Sequence, residues 1–442
     1  MKIKRYLWFL LYILAALLPS IIYITGSLNL SILIILSGVF GISSYVLFSF
    51  QLLLTSRVKI IDKTFGLDKI YRFHMVIAIL ALVFAYIHKL LKELYYSESL
   101  KTQLGDIAFV IFLAVSIFSV LMMINKLFFK ISLIDYIRNY LKRTLNIKYQ
   151  NKVLLHNIIL VGLIILLVHI LLAYSVNSNL LLKITLIIYF IVPFALYVNH
   201  KIIKVYLMKN KKYTVAEVIN ESNHIVTLKF KPQNGELFSY LPGQFVYIRI
   251  DNPQIPRDEH PFTISSSPSQ TDYVSVTAKK LGDFTNKLNH VNVGDHVYID
   301  GAFGTFSYLE AQENKKICFI AGGIGITPFL GMLRYMKSIN DNKDVVLLWG
   351  ARDLSEVICK NELDDYVTTL ENFKFVPVLS NDSNFTGEKG FISSDVIQKY
   401  VESIHEYDFY ICGPPIMLES QLKNLKMLGV SKKNIHFERF AI

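Results

Sequence analysis

The chain has 442 residues, of which 53% are hydrophobic, and it carries a formal net charge of +12. Residues 1–212 hold a net charge of +18 and residues 213–442 a net charge of −6. Because the positive excess lies between hydrophobic stretches, it is of the kind that sets membrane topology, and nucleic acid is not an expected partner. The three cysteines lie in the second half without a CxxC pair, which argues against a disulfide framework or a zinc site.

Six hydrophobic stretches are long enough to cross a bilayer, and they cover residues 7–25, 30–54, 71–91, 107–124, 153–174 and 180–198. The basic, apolar start resembles a signal peptide but lacks an obvious small-x-small cleavage site, so we predict an uncleaved first span. Lysine and arginine concentrate before span one, between spans two and three, between spans four and five, and after span six. The positive-inside rule therefore predicts a multi-pass plasma-membrane protein whose termini and polar half are cytoplasmic.

Four histidines lie well inside these spans, in two pairs. His74 and His88 stand fourteen residues apart in span three, and His156 and His169 thirteen apart in span five. Ionisable groups at such depth are costly unless they serve a site. Both spans run from inside to outside, so that His74 lies level with His156, and His88 with His169. Two such pairs can hold two b-type haems by bis-histidine ligation.

Two points about these histidines stay open. A membrane histidine can bond a neighbouring helix instead of a metal. In addition, thirteen steps of an ideal helix end about 220° past a whole number of turns, so the second ligand of span five does not return to the first one's face. Either this span is locally overwound, for example near Gly162, or one haem is approached from another side.

After the spans, the pattern changes to short alternating strands, KYTVAEVIN, HIVTLKFKP and QFVYIRID, which predict an antiparallel β-barrel. In the segment HPFTISSSPS that follows, Thr263 and Ser265 can offer backbone and hydroxyl groups to the edge of a flat aromatic ligand. In LGDFTNKL, Gly282 and Thr285 open a predicted helix, and a helix start with a hydroxyl can seat a pyrophosphate. A generic turn or cap explains either segment alone equally well.

The stretch KKICFIAGGIGITPFLGML predicts a buried strand, a glycine turn and a helix. Gly322, Gly323 and Gly325 let the backbone approach a phosphate, while Thr327 and Pro328 open the helix. The alternative is a bare strand–turn–helix connection. Three further strands, in VVLLWGARD, FVPVLS and YDFYICGPPIM, alternate with helical patterns, which predicts a doubly wound α/β nucleotide domain.

The motifs HPFT, GDFT, GGIGITP, WGAR and CGPP, in this order, resemble the flavin and nicotinamide domains of the ferredoxin–NADP reductase superfamily. Joined to six spans with paired histidines, nearly the whole chain resembles the NADPH oxidase and ferric reductase family, in a compact bacterial form. This resemblance implies a transmembrane haem domain over residues 1–208, an FAD-binding β-barrel domain over 209–311 and an NAD(P)-binding α/β domain over 312–442.

The resemblance also implies roles for individual residues. Contacts with the flavin are implied for His260, Pro261, Phe262, Thr263, Gly282 and Thr285. Contacts with the coenzyme phosphates are implied for Gly323, Gly325, Thr327 and Pro328. Contacts beside the nicotinamide are implied for Cys412, Gly413 and Pro414. Phe440 would stack on the isoalloxazine, which makes Thr263, Cys412 and Phe440 the expected catalytic residues.

The sequence departs from the family in places that bear on substrate choice. Asn381 stands where an arginine often binds the 2′-phosphate of NADPH, and Lys92 where animal oxidases carry a further histidine. Arg352, in WGARD, is the remaining candidate for that phosphate, although it can equally cap a helix or pair with Asp353.

The sequence thus predicts an oxidoreductase that passes electrons from cytoplasmic NADPH or NADH through FAD and two haems to an external acceptor. Dioxygen, with superoxide as the product, is the first choice of acceptor, and a ferric chelate is the second. A membrane-tethered flavin reductase without haem and a passive cytochrome subunit are the competing interpretations. The intact GGIGITP and CGPP motifs argue against the passive subunit. We expect the lipid bilayer as a partner and no obligate protein partner.

Overall fold

A computed structural model of the protein describes residues 2–95, 99–122, 132–145, 149–204, 206, 212–310 and 316–439. The chain forms two compact units, residues 1–205 and 206–442. The first unit is helical, and the second combines two six-stranded sheets with flanking helices.

The helices of the first unit are α1 (Lys2–Thr25), α2 (Ile32–Thr55), α3 (Lys59–Phe65), α4 (Leu67–Glu93), α5 (Leu100–Met122), α6 (Ser132–Leu145), α7 (Tyr149–His156), α8 (Ile159–Leu171), α9 (Tyr174–Asn177) and α10 (Leu180–Val198). Within the described residues, six segments are long and apolar enough to span a membrane, which confirms the six predicted stretches. These segments are Tyr6–Thr25, Ile32–Thr55, Lys69–Glu93, Leu100–Met122, Asn151–Leu171 and Leu180–Ile203. The fifth combines α7 and α8; the orientation of all six stays a prediction.

Helix α2 lies at the centre of this unit and packs against α1, α4 and α10. Its buried polar groups bond to neighbouring backbones: the Tyr45 hydroxyl donates to the carbonyl of Leu186 at 2.8 Å, and Ser44 Oγ to the carbonyl of Ala81 at 2.9 Å. Such bonds stabilise a bundle in lipid, because a bilayer cannot hydrate a polar group that lacks a partner.

The second unit begins with an antiparallel sheet of β1 (Lys212–Ser222), β2 (Ile225–Pro232), β3 (Phe245–Asp251), β4 (His260–Thr263), β5 (Val274–Lys279) and β6 (His296–Phe303). The strand order is β4-β3-β6-β1-β2-β5. Alternate residues of the strands face one core, as Val226, Leu228 and Phe230 do on β2. Among the described residues, one isolated bridge, between Ile264 and Val276, connects the segment after β4 with β5. Closure of this sheet into a barrel stays a prediction.

The second sheet is parallel, with the order β10-β9-β8-β7-β11-β12. Its strands are β7 (Lys316–Gly322), β8 (Val345–Ala351), β9 (Phe373–Leu379), β10 (Glu388–Lys389), β11 (Tyr407–Gly413) and β12 (Ile435–Arg439). Residues 317–321 of β7 are all fully buried, as the central strand of a parallel sheet should be.

Helices cover both faces of this parallel sheet. The helices α11 (Thr327–Ser338) and α12 (Lys360–Thr369) pack on one face, and α13 (Ser394–Tyr400) and α14 (Pro415–Met427) pack on the other. This is the doubly wound arrangement that the alternation of strand and helix patterns predicts.

Candidate functional site

The parallel sheet changes winding direction between β7 and β11, and a crevice for a ligand is expected where the carboxyl ends of two such strands part. The predicted glycine turn follows β7, and the CGPP motif follows β11, so the fold brings the two motifs together. A Cβ built on Gly325 would lie 2.2 Å from the carbonyl oxygen of Cys412. A Cβ on Gly413 would lie 3.1 Å from the Cα of Gly322. Only glycine permits this close approach of the two turns.

Open space borders Gly323, the middle glycine of the turn. Gly323 has a φ of +52°, and a Cβ there would meet no atom within 4 Å. Its carbonyl accepts a hydrogen bond of 3.0 Å from Trp349 Nε1 on β8, which fixes the turn. No local sequence pattern distinguishes Trp349, although it stands in the WGAR motif. A rigid turn with space above it suits the approach of a nucleotide phosphate to backbone N–H groups.

Three of the predicted coenzyme contacts are buried. The Thr327 hydroxyl donates to the carbonyl of Ile324 at 3.1 Å, and Thr327 and Pro328 both lie inside the domain at the start of α11. Cys412 is fully buried, and this burial raises the pKa of its thiol well above the usual range, so the thiol stays protonated. These three side chains pack beneath the crevice. Cys412 behaves there as a small apolar residue.

Strand β4 presents two buried polar atoms that find no partner among the described residues. Thr263 Oγ1 and His260 Nε2 are buried, and neither is hydrogen-bonded to any described residue. The His260 ring stacks on Phe284 with ring centres 3.9 Å apart. Burial lowers the pKa of His260, although the charge of Asp258 opposes the shift, so the ring is predominantly neutral at neutral pH. A neutral ring and a hydroxyl that both lack partners fit the polar edge of a bound flavin.

The remaining β4 residues point in different directions. Pro261 is exposed and Phe262 is half-buried. Ser265, predicted to lie beside Thr263, is fully buried, and its hydroxyl is bonded to those of Ser275 and Thr277 at 3.1 and 3.0 Å. The reason is that β4 ends at Thr263 and the Ile264 bridge turns the chain onto β5. The Ser265 hydroxyl thus already has partners on β5, and its contact with a flavin stays a prediction.

The GDFT motif forms a turn and not the start of an α-helix. Thr285 opens a 3-10 helix that ends at His290, and its hydroxyl accepts hydrogen bonds from the N–H groups of Leu281 and Gly282 at 3.0 and 2.9 Å. These two donors already have a partner within the protein. Gly282 borders open space, since a Cβ there would meet only Thr285 Oγ1, at 3.9 Å. The pyrophosphate contact of this segment stays a prediction.

Two predicted residues lie at the edge of the nucleotide domain. Arg352 is exposed at the end of β8, and its carbonyl accepts a 2.8 Å hydrogen bond from the N–H of Asn381, which brings both loops together. Asp353 accepts from Ser355 N–H at 2.9 Å, so the carboxylate caps the next turn. Phe440 lies outside the described residues.

In the helical unit, the four histidines meet in the two predicted pairs. The ring centres of His74 and His156 are 6.4 Å apart, and those of His88 and His169 are 6.3 Å apart. A metal–imidazole bond of about 2.0 Å and a ring radius of about 1.1 Å place two axial imidazoles roughly 6.2 Å apart, centre to centre. Both pairs therefore have the separation that one metal ion between the rings requires.

Hydrogen bonds fix the tautomer of three of these rings. Carbonyl oxygens of Ser37 and Lys101 lie 2.7 and 2.6 Å from Nδ1 of His88 and His169 respectively. Because a carbonyl only accepts, both Nδ1 atoms must carry hydrogen, which leaves Nε2 with its lone pair. Ser119 Oγ, which donates to a carbonyl at 2.7 Å, lies 2.9 Å from Nδ1 of His156 and fixes it in the same way. Such outer contacts are typical of metal-binding histidines.

For the fourth ring, that of His74, Nδ1 is buried and has no hydrogen-bond partner in the part of the chain that the structure describes. Glycines make room for the outer rings: a Cβ on Gly41 would lie 2.8 Å from His88 Nδ1, and one on Gly105 would lie 2.7 Å from His169 Cε1. Beside this outer pair lies a cavity of 420 Å³. The residues present thus fit haem groups held by paired histidines.

A tightened turn explains how the thirteen-residue spacing works. Between α7 and α8, the N–H groups of residues 157, 158, 160 and 161 donate to carbonyls three residues earlier. Such 3-10 geometry turns about 120° per residue instead of 100°. Four such steps add roughly 80° of rotation, so the thirteen steps from His156 to His169 end about 60° short of four full turns. The fourteen ordinary steps from His74 to His88 end about 40° short of four turns, which is a similar position. Overwinding is therefore present, centred at residues 157–161 and before Gly162.

Comparisons with known proteins identify two domains in the second half of the chain. Residues 197–319 match the model of an FAD-binding domain, and residues 319–423 match that of an oxidoreductase NAD-binding domain. The reductase component of propane 2-monooxygenase from Mycolicibacterium smegmatis is 28% identical over 237 residues, which cover 51% of this chain and 66% of that protein. A flavohemoprotein from Oceanobacillus iheyensis is 25% identical, over 52% of this chain and 59% of that protein. The chain thus spans just under two thirds of the first of these relatives.

One solved structure is similar over almost the whole chain. Flavohemoglobin from Malassezia yamatoensis covers 96% of this chain and 98% of its own, with a TM-score of 0.51 and 15% sequence identity, so the likeness is one of fold. The domain matches show an FAD-binding domain and an oxidoreductase NAD-binding domain. The second half of the chain thus carries domains of the kind found in oxidoreductases, and the relatives named above are a reductase component and a flavohemoprotein.

Proposed function

We propose that this oxidoreductase carries electrons across a membrane, from cytoplasmic NAD(P)H through FAD and two b-type haems to an acceptor on the far side. The observation that carries the proposal is the pairing of four histidines, with ring centres 6.3 and 6.4 Å apart, in a bundle fused to flavin and nicotinamide domains. The resemblance to the NADPH oxidase and ferric reductase family supports the same arrangement. The six basic-flanked spans support a cytoplasmic location for both termini.

Each group of residues has a distinct part in this proposal. The unpartnered atoms of Thr263 and His260 hold and orient the flavin edge, and the turn at Gly323 receives the coenzyme phosphates. Bound FAD supplies the change from two-electron hydride chemistry to single electrons. The histidine pairs hold haem iron, which supplies one-electron transfer at two depths of the bilayer. The protein thus orients its carriers, and it shields those in the bundle from water.

The lining of the outer cavity bears on the choice of acceptor. Dioxygen is small and neutral, needs no binding group, and is our first choice, with superoxide as the product. The cavity lining includes Lys89, Lys92 and Lys101 against only two carboxylates, those of Glu93 and Asp106. This net positive lining favours anions, so an anionic ferric chelate is the second candidate acceptor.

A visible absorption spectrum of the purified protein tests this function. We expect a sharp low-spin reduced haem band, two haems per chain, and reduction of that band by NAD(P)H only when FAD is present. The reason is that paired imidazoles give six-coordinate iron, while hydride can enter only through the flavin. Protein without haem that still reduces its flavin would instead support the membrane-tethered flavin reductase.

Coenzyme choice provides a separate prediction. A 2′-phosphate is best held by a guanidinium group, and Arg352 is the exposed candidate beside Asn381. One charge-assisted contact contributes about 1.5–3 kcal/mol, or roughly ten- to a hundredfold. We therefore expect both coenzymes to work, with at most a modest NADPH preference that Arg352→Ala abolishes in steady-state kinetics.

The matched control for coenzyme choice is Lys360→Ala, which removes another exposed cation of the same domain, paired with Asp364. It should leave the ratio of kcat/KM for the two coenzymes unchanged. A thousandfold preference in the parent, or a preference that Arg352→Ala leaves intact, would place the phosphate-binding residue elsewhere.

A further inference from the structure

A charged side chain joins the two lobes of the second unit. Arg334, on α11 of the nucleotide domain, donates from Nη1 to the carbonyl oxygen of Ser265 in the flavin domain, 2.6 Å away. Its Nε and Nη2 donate to the two carboxylate oxygens of Glu362 on α12, at 2.8 and 2.6 Å. The guanidinium group of Arg334 therefore binds both a helix of the nucleotide domain and the backbone of the flavin domain.

The ion pair with Glu362 fixes the direction of the hydrogen bond from Arg334 to Ser265. Although burial alone would raise the pKa of the Glu362 carboxyl, the Arg334 guanidinium holds it below the usual range, so both groups are charged. A two-pronged arginine–carboxylate pair fixes the plane of the guanidinium. The third donor, Nη1, is thereby aimed at Ser265, and a lysine could not reproduce both contacts with its single ammonium group.

Two further contacts hold the lobes at the same boundary. A Cβ on Gly331, one turn before Arg334, would lie 2.9 Å from the carbonyl oxygen of Ile264, so α11 lies directly against the flavin-domain backbone. Lys279 of β5 pairs with Glu356 at 2.6 Å, and these side chains are only 13% and 14% exposed. The boundary is therefore tightly packed, and among its hydrogen bonds that of Arg334 reaches the flavin-domain residue closest in sequence to β4.

Arg334 lies between the two parts of the proposed chemistry. Ser265 is two residues beyond Thr263, whose buried hydroxyl is unpartnered in the described chain, and α11 begins directly after the glycine turn of the coenzyme site. In flavin reduction, a hydride leaves the dihydronicotinamide and joins the flavin, which oxidises the coenzyme and reduces the flavin. Such a transfer needs reacting atoms about 3–3.5 Å apart, and a small displacement slows it strongly.

We propose that Arg334 is a positioning residue, which sets the approach of nicotinamide to flavin by tying α11 to the carbonyl of Ser265. The inference rests on the hydride step of the proposed function and is independent of haem. It assigns a role in catalytic geometry to a residue that lies outside both ligand-binding motifs.

Stopped-flow reduction of the bound flavin in the full-length protein tests this inference, with rates expressed per bound flavin. For Arg334→Met, which keeps an apolar stem, we expect the limiting rate to fall at least tenfold, while the Kd for the coenzyme stays within twofold. A coenzyme deuterated at the transferred position should show a kinetic isotope effect different from that of the parent. A purely structural role would reduce flavin content and thermal stability but would leave the rate per bound flavin and the isotope effect unchanged.

Arg334→Lys keeps the charge with a single ammonium group, and we expect a rate between those of the parent and Arg334→Met. If the methionine variant does not retain flavin, the lysine variant decides: a rate within twofold of the parent overturns the proposal. Lys337→Met is the matched control, because Lys337 lies on the same helix and, among the described residues, its ion pair is within its own lobe, with Asp365 at 2.5 Å. Its limiting rate should equal that of the parent.

The parent protein separates this inference from the proposed function. If NAD(P)H does not reduce the flavin of the parent protein, the proposed function itself is overturned. A parent that is reduced normally, together with an Arg334→Met variant that is reduced equally fast, would overturn only the positioning role.

Discussion

Replacing His74 or His156 with alanine should remove one of two haems and stop reduction of an external acceptor, while NAD(P)H continues to reduce the flavin. The ring centres of this pair are 6.4 Å apart, so under the proposed function both imidazoles would hold the iron of one haem. Loss of either would leave that haem with one histidine instead of two, and we expect the weakened site to lose its haem. The flavin and nicotinamide domains carry their own contacts and should be unaffected.

The haem content per chain, from a pyridine haemochrome spectrum, measures this effect, and we expect about half of the parent value in either variant. The matched control is His200→Ala: His200 is also buried in an apolar span, 6% exposed, and it stacks on no other described histidine. The control should keep both haems. Two full haems in the His74 or His156 variant would refute the assignment of the inner pair.

Gly325→Ala should abolish most coenzyme-dependent reduction of the flavin. The added Cβ would lie 2.2 Å from the carbonyl oxygen of Cys412 and 2.8 Å from the Cα of Gly413, both of them backbone atoms. The two turns would have to separate, at a cost of about 1–3 kcal/mol or more for overpacking. Because both turns border the nicotinamide site, we expect kcat/KM for either coenzyme to fall at least about tenfold, together with a lower thermal midpoint.

The control for Gly325→Ala is Gly350→Ala, since a methyl group there would meet its nearest atoms, Cδ1 of Ile392 and the carbonyl oxygen of Ala321, only at 3.6 and 3.7 Å. Thermal unfolding and steady-state kinetics on both variants measure the difference. Equal activities of Gly325→Ala and the parent would show that the two turns can part freely, which the close packing contradicts.

The parts of this structure that could be predicted from sequence depend on local pattern. Long apolar runs identify the spans, and glycines at fixed offsets after a buried strand identify the turn at Gly323. The pairing of His74 with His156 was predictable because equal depth follows from topology and residue spacing alone. Charge also carried information, since the lysines and arginines between spans predict an orientation that the structure does not test.

The parts that could not be predicted depend on contacts between distant residues. Alternation places Thr263 and Ser265 on one face, but the bridge from Ile264 to Val276 ends that pattern. Arg334 meets Ser265 across 69 residues of sequence, and no local signal distinguishes it from a surface arginine. Likewise, Trp349 supports the coenzyme turn only because β8 pairs with β7.

The tightened turn at residues 157–161 also affects length. A 3-10 step advances about 2.0 Å along the axis and an α-helical step about 1.5 Å. Thirteen steps with four of them tightened therefore advance about 21.5 Å, against about 21 Å for the fourteen steps from His74 to His88. The four hydrogen bonds that adjust the rotation therefore also lengthen this segment, so that its thirteen steps advance about as far as fourteen ordinary ones. Under the proposed function, both walls of the bundle therefore hold their two histidines at nearly the same axial separation, about 21 Å.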